Sequence, residues 1–152
     1  DLKITDYISE IVKSFQETSK KEFIINCDQD SNSINIIKSI EIVYGFRNFI
    51  GNANKFSKSK VFIFIKSDSN FSEVIIEDDG EGYPKDVLNK IGEPYIKSFK
   101  SSEKSKSGLG LGIFIGKTLL EKNYANVLCG NSKTRRGAEV SIKWKNKDLL
   151  SL

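Results

Sequence analysis

An α/β two-layer sandwich, one mixed and mostly antiparallel sheet covered on one face by helices, is the fold class that this 152-residue sequence predicts. Three observations carry that prediction. Amphipathic helical stretches alternate with short β-rich runs, two of those runs flank a hairpin turn, and two more close the chain. No internal repeat or second domain is visible. With 38% hydrophobic and 29% charged residues, the chain is globular in composition and long enough to bury a core without disulfides or a structural metal.

The elements follow in order. DYISEIVKSFQ spaces Tyr7, Ile8, Ile11, Val12 and Phe15 at helical intervals, with Thr5 or Asp6 as the cap. EFIINC, Glu22 to Cys27, reads as a strand, and Asp28 to Ser33 as a polar turn. From about Ile37 to Phe56 the pattern is helical again, with Ile40, Val43, Tyr44, Arg47, Phe49 and Ile50 around a largely buried cylinder. Val61–Ile65 and Glu73–Ile76 lie on either side of the turn Ser67–Asn70 and form a hairpin. Pro84 starts a short helix, Lys85 to Ile91. Glu93 to Ser107 is lysine- and serine-rich and unpatterned, and a loop of that length in a compact domain is either functional or disordered. Gly110 to Glu121 is a helix, Asn126–Cys129 a strand, and Ala138–Trp144 a last strand behind the turn signal TRRG.

Composition excludes several functions. The net charge of +4 is modest, and its one lysine cluster, Lys97–Lys106, holds Phe99 as its single aromatic, so no nucleic-acid groove is expected. No apolar run reaches the roughly 18–20 residues that span a bilayer, and there is no secretory signal, so no membrane contact by this stretch is expected. Cys27 and Cys129 fit neither a metal-ligand spacing nor a disulfide framework and read as reduced, buried thiols in a cytoplasmic setting. The absence of Met predicts a piece of a longer protein. With no His, the chain itself supplies neither a histidine base nor a phosphoacceptor histidine.

Three segments point to chemistry. In SGLGLGIFIGKTLL, Gly108, Gly110 and Gly112 precede and enter a helix whose first-turn amides, from about Leu111, make a phosphate site; the alternative is a flexible lead-in to a core helix. In IIEDDGEGYP a strand ends at Asp78, and Gly80 and Gly82 let the backbone pass beneath a flat ligand. Ionised, Asp78 accepts a hydrogen bond from an exocyclic amine such as that of adenine; the alternative is an acidic turn. In FRNFIGNANKFS, Asn48, Asn52 and Lys55 share one face of a helix. A carboxamide oxygen there can ligate Mg²⁺ and a lysine can neutralise phosphate; the alternative is a solvated stripe.

The order Asn-rich helix, Asp-x-Gly-x-Gly, variable loop, Gly-x-Gly-x-Gly resembles the N, G1 and G2 boxes of the Bergerat-fold (GHKL) ATPases, which include gyrase, the ninety-kilodalton heat-shock chaperones, MutL and histidine kinases. Over about Glu22 to Trp144 the spacing is similar to the catalytic and ATP-binding domain of sensor histidine kinases. GEPYIKSFK and GLGLGIFIGKTLLEKNYA resemble the RegB/PrrB-type redox-responsive kinases, with Gly-Glu-Pro-Tyr where the usual Phe-x-Pro-Phe box stands.

The resemblance implies ATP and Mg²⁺ as cofactors. Asn52 would ligate the metal, Asn48 would support phosphates or metal, and Lys55 would contact phosphate. Phe56 would pack on adenine and Asp78 would accept from its amine. Gly80 and Gly82 would shape the base pocket, and Gly108, Gly110, Leu111 and Gly112 would border the triphosphate. The glycines then form the hinge end of a flexible ATP lid, with Pro94, Tyr95 and Phe99 at its other end. Position 48 is Asn where hydrolytic relatives carry a water-activating Glu, which favours transfer to an outside nucleophile.

On this reading residues 1–20 end a preceding dimerisation helix and linker, 21–146 form the catalytic domain and 147–152 a tail. The partners implied are a histidine-bearing dimerisation domain and a response regulator. The full-length protein would be a homodimer, its catalytic domain cytoplasmic and the whole anchored in the bacterial inner membrane as this family commonly is. A non-catalytic ATP-sensing module and a serine-directed kinase of the anti-sigma type share these boxes.

Overall fold

The computed structural model describes residues 2–28, 35–36, 39–91 and 109–150. Its elements run β1 (Leu2–Lys3), α1 (Ile4–Gln16), β2 (Glu22–Cys27), β3 (Asn35–Ile36), α2 (Ile40–Phe56), β4 (Lys60–Ser67), β5 (Phe71–Asp78), α3 (Lys85–Lys90), α4 (Leu109–Lys122), β6 (Asn126–Asn131), β7 (Ala138–Lys145) and α5 (Asn146–Leu150). Five strands form one sheet in the order β2-β4-β5-β7-β6. The β2–β4 pair is parallel and the other three pairs are antiparallel, which gives the mixed, mostly antiparallel sheet expected.

Period-two alternation decides which face is covered. On β4, Val61, Ile63 and Ile65 are buried, whereas Phe62 and Phe64, pointing the other way, are half-buried. The register puts Ile63 opposite Ile76 on β5, and Ile76 opposite Val140 on β7. These side chains meet Ile42, Phe46, Phe49 and Ile50 of α2 in a single core. Trp144 closes that core at one end, edge-on to Phe46 with ring centroids 5.8 Å apart and its Nε1–H donating to the Asn123 carbonyl at 2.9 Å.

α1 belongs to this core. Ile4, Tyr7, Ile8, Ile11 and Val12 are all buried, each worth about 1.5–3 kcal/mol when fully removed from water. A short antiparallel pairing of β1 with β3 precedes it. Thr5 does not cap α1, and Asp6 does so from inside the helix rather than from the N-cap position. The N-cap is Lys3, whose backbone N–H donates to Asp6 at 3.3 Å from the third helical position. α2 begins at Ile40, later than its apolar pattern suggests, because the Ser39 hydroxyl caps it by accepting from Ile42 N–H.

Of the stretch read as a tail, residues 147–150 belong to α5. Asn146 accepts from the Ser72 hydroxyl at 2.7 Å and donates to the Asp68 carbonyl at 2.8 Å, which places Leu149 of α5 in the core at 1% exposure. Cys27 is exposed rather than buried, since β2 is an edge strand and the thiol sits at its last position. Cys129 is half-buried, and burial pushes its thiol up to about 12, which leaves it inert at neutral pH.

Antiparallel packing of α2 on α4 depends on glycine. A Cβ at Gly45 would lie 2.5 Å from Leu120 Cγ, and one at Gly116 would lie 2.8 Å from the Phe49 ring. Gly51, on the same α2, would meet only Phe15 at 3.3 Å. Two Gly→Ala substitutions in one helix should then have opposite signs in urea unfolding. Gly45→Ala should destabilise by about 1–3 kcal/mol through overpacking, and Gly51→Ala should be neutral or stabilising by up to about 1 kcal/mol through helix propensity.

Candidate functional site

Asp78 ends β5 with its side chain turned to the covered face, at 3% exposure. Its Oδ1 accepts from Gly80 N–H at 2.8 Å and from Ala138 N–H at 3.3 Å. Burial raises the carboxyl above the usual carboxylate range, and these two amides only partly offset the rise. Both donors need glycine to come so close. A Cβ at Gly80 would collide with the Phe56 carbonyl, and one at Gly137 would collide with the Asp78 carbonyl and Oδ1.

A cavity opens above this carboxylate. It is narrow and partly open to solvent, and is lined by Phe49, Asn52, Ala53, Phe56 and Ile76 together with Asp78, Gly82, Tyr83, Ala138 and Val140. The lining is apolar and aromatic except for one carboxylate and one carboxamide at separate points, the composition of a site for a flat, mostly apolar ring with a polar edge. Gly82 adopts φ +85°, and a Cβ there would meet Asn131 Oδ1 at 2.7 Å. Asn131 fixes this wall, accepting from Tyr83 N–H at 2.7 Å and donating to the Tyr83 carbonyl at 3.3 Å.

The cavity leads past Asn52 to the start of α4. The Asn52 Nδ2 is buried and has no hydrogen-bond partner, and a Cβ at Gly112 would lie 3.2 Å from it and 3.3 Å from Oδ1. A half-buried carboxamide whose enclosed amide group has no partner among the described residues fits a side chain whose polar partner is a ligand. Gly110, Leu111 and Gly112 form the first turn of α4, which carries no acidic residue of its own, so its positive end is not neutralised from within.

The structure thus brings Asn52, Phe56, Asp78 and Gly82 to one cavity, Gly80 beneath Phe56, and Gly112 against Asn52. Asn48 and Lys55 stand apart from it. Asn48 donates to the Tyr44 carbonyl of its own helix at 2.8 Å, and its Cβ faces Gly116. Lys55 is exposed, its ammonium 5.3 Å from the Phe56 ring centroid. Tyr95 and Gly108, with Pro94, Phe99 and the rest of the lid, lie outside the described residues.

The sequence reading missed Tyr83, Asn131, Gly137 and Ala138. The TRRG signal before the last strand was visible, but only the fold shows that its glycine lies against Asp78, a strand end far upstream in sequence.

The profile of the histidine kinase-, DNA gyrase B-, and HSP90-like ATPase family matches residues 37–148. The chain belongs to this family. Membership assigns it an ATP-binding domain, and the cavity lies among the three glycine- and asparagine-rich segments. Sensor histidine kinase RegB of Cereibacter sphaeroides is 34% identical over 124 residues, 72% of this chain and 27% of RegB. Sporulation kinase A of Bacillus subtilis is 32% identical over 87 residues, 57% of this chain and 13% of that protein. The chain therefore spans about a quarter of the length of RegB.

Among solved structures, the nucleotide-free catalytic domain of histidine kinase ThkA aligns with a TM-score of 0.76 over 97% of this chain and 96% of that one, at 17% identity. Mycobacterial sensor histidine kinase MprB aligns with a TM-score of 0.68 over 95% of each chain, at 19% identity. These likenesses show the fold. Among the described residues, no helix is long and apolar enough to cross a membrane.

Asp78 generates a paired prediction. Because its folded pKa is raised, the ionised group costs stability at neutral pH, and that cost is relieved as pH falls through the folded pKa. Asp78→Asn keeps an acceptor for Gly80 and Ala138 without the charge. Its melting temperature at pH 7 should equal or exceed the parent's, with the gap closing on acidification. Its ATP affinity should fall about 10- to 100-fold by calorimetry. A variant that loses stability at pH 7 would show that the charge supports the fold.

Proposed function

We propose that this chain is the ATP-binding catalytic domain of a two-component sensor histidine kinase, transferring the γ-phosphoryl group to a histidine outside the chain for relay to a response regulator. The observation that carries the reading is the buried Asp78 carboxylate in the wall of an apolar slot, its Oδ1 engaged by backbone amides and its second oxygen left for an amine donor. Adenine offers that donor at its exocyclic nitrogen, and guanine offers a carbonyl there instead. Phe56, Phe49 and Tyr83 give the slot its apolar and aromatic lining. RegB, which matches most of the chain, is itself a sensor histidine kinase.

With a base in the slot, Asn52 and the first turn of α4, which meet at Gly112, would be the groups to hold the phosphates. The first-turn amides of Gly110, Leu111 and Gly112 and the positive helix end would offset the negative charge there. Mg²⁺ would be held here by the Asn52 carboxamide oxygen together with phosphate oxygens, the ligands that a small hard cation takes. The metal would supply charge neutralisation on the phosphates. Gly112 leaves Asn52 the room to hold it.

Asn48 takes no part as a base, since a carboxamide engaged with the Tyr44 carbonyl neither accepts a proton from water nor carries charge. Phosphoryl transfer here is positioning plus electrostatics, and the nucleophile comes from another domain. A homodimer presenting a histidine on its dimerisation helices would supply that nucleophile.

The decisive experiment supplies a histidine-bearing dimerisation domain from the full-length protein together with labelled ATP and Mg²⁺. Acid-labile, base-stable phosphohistidine should form, and Asn52→Ala should cut the transfer rate at least about 100-fold while circular dichroism shows an intact fold. ATP binding without phosphohistidine would leave a nucleotide-sensing module. Phosphoserine on a small partner would indicate a serine-directed kinase.

A further inference from the structure

We propose that Asp79 is a positioning residue for the base pocket: its carboxylate grips the turn that follows α2 and so holds the Phe56 wall against the Asp78–Gly80 floor. The proposal rests on the reading of the cavity as an adenine pocket. Asp79 follows the adenine-facing Asp78 but turns away from the cavity. Its Oδ1 accepts from three consecutive backbone amides, Lys58 at 2.8 Å, Ser59 at 3.0 Å and Lys60 at 3.1 Å. Its Oδ2 accepts from the Ser59 hydroxyl at 2.9 Å. The Asp79 N–H donates in return to the Lys60 carbonyl at 3.3 Å.

The next residue makes the second half of the joint. Gly80 has no room for a Cβ because the Phe56 carbonyl occupies that position. Residues 79 and 80 therefore meet residues 56–60 at two adjacent points, one hydrogen-bonded and one in steric contact. From this joint the Phe56 side chain lines one part of the slot and the Asp78 carboxylate another. The joint sets their separation, and with it the width available to a flat base. Lys21, just ahead of β2, holds the same turn from its other side, its ammonium donating to the Ser57 carbonyl and to the Ser57 hydroxyl at 3.2 Å.

Burial alone would raise the Asp79 carboxyl, but the amides of Ser59, Lys60 and Lys58 and the Ser59 hydroxyl hold it at about 2. The grip is fully charged at every pH at which nucleotide binding is measured. A turn tied down for stability alone would show the same bonds, so the test must read the ligand.

Asp79→Ala and Asp79→Asn are titrated with ADP and with ATP by calorimetry at a temperature where circular dichroism shows each variant folded. Asp79→Ala should weaken both nucleotides by the same factor, about tenfold, because the base and not the phosphates has lost its slot. Asp79→Asn, which offers a carbonyl oxygen to the same three amides, should recover most of the loss. In the parent, amide exchange at Lys58, Ser59 and Lys60 should slow when ADP binds, although none of the three lines the cavity. That measurement decides the matter even where Asp79→Ala does not fold.

A folded Asp79→Ala variant that binds ADP as tightly as the parent overturns the proposal. So do amides that ignore ADP, and so does a loss confined to ATP. A parent that binds neither nucleotide overturns the pocket reading itself, and this proposal with it.

Discussion

A carboxylate taken out of water at the end of a central strand is the constraint around which this domain is arranged. An ionised group in that position costs several kcal/mol unless the protein supplies dipoles. Two backbone amides reach Asp78, from Gly80 and from Ala138, and each approach requires a residue without a side chain. The end of α2, the end of β5 and the start of β7 are drawn to one point by a single charge. Its carboxyl remains raised, so the compensation is incomplete, which is the condition expected of a group kept for a ligand rather than for the fold.

The helical layer answers a different demand. Asn52 must project between α2 and α4 without being crushed, and both helices must still seal the core beneath it. Glycines at 45, 112 and 116 allow this by letting Leu120, Asn52 and Phe49 each occupy the place of a missing Cβ. Because the packing is antiparallel, the open first turn of α4 arrives beside the C-terminal half of α2, where Asn52 stands. Close helix packing and delivery of the start of α4 to Asn52 are one geometric fact.

On the opposite face of the sheet, Phe62 and Phe64 are half-buried. Arg135 lies 4.0 Å from the Phe62 ring centroid and pairs with Glu77 at 2.9 Å, so one side chain shields apolar surface and neutralises a half-enclosed acid. Burial raises the Glu139 carboxyl, and its cross-strand neighbour Glu77 raises it further. Glu77 directly precedes Asp78, so consecutive carboxylates on opposite faces are stabilised differently, one by a guanidinium and one by amides.

Sequence alone determined the alternation of helices and strands, the mixed sheet, the hairpin and the three boxes, because these depend on local periodicity, turn chemistry and short spacings. It also singled out Asn52, Phe56, Asp78 and Gly82, which the fold does gather at one cavity. It did not place α1 in the core, since an amphipathic stripe shows that a helix has a buried face and not which surface covers it. It could not tell that Asn48 is bonded to its own helix, because residues four apart share a face whether or not they share a task. Gly137, Asn131 and Asp79 escaped for one reason: each acts on a residue between nineteen and sixty positions away in sequence. Contacts at that range are set by strand order and register, and only the tertiary structure decides those.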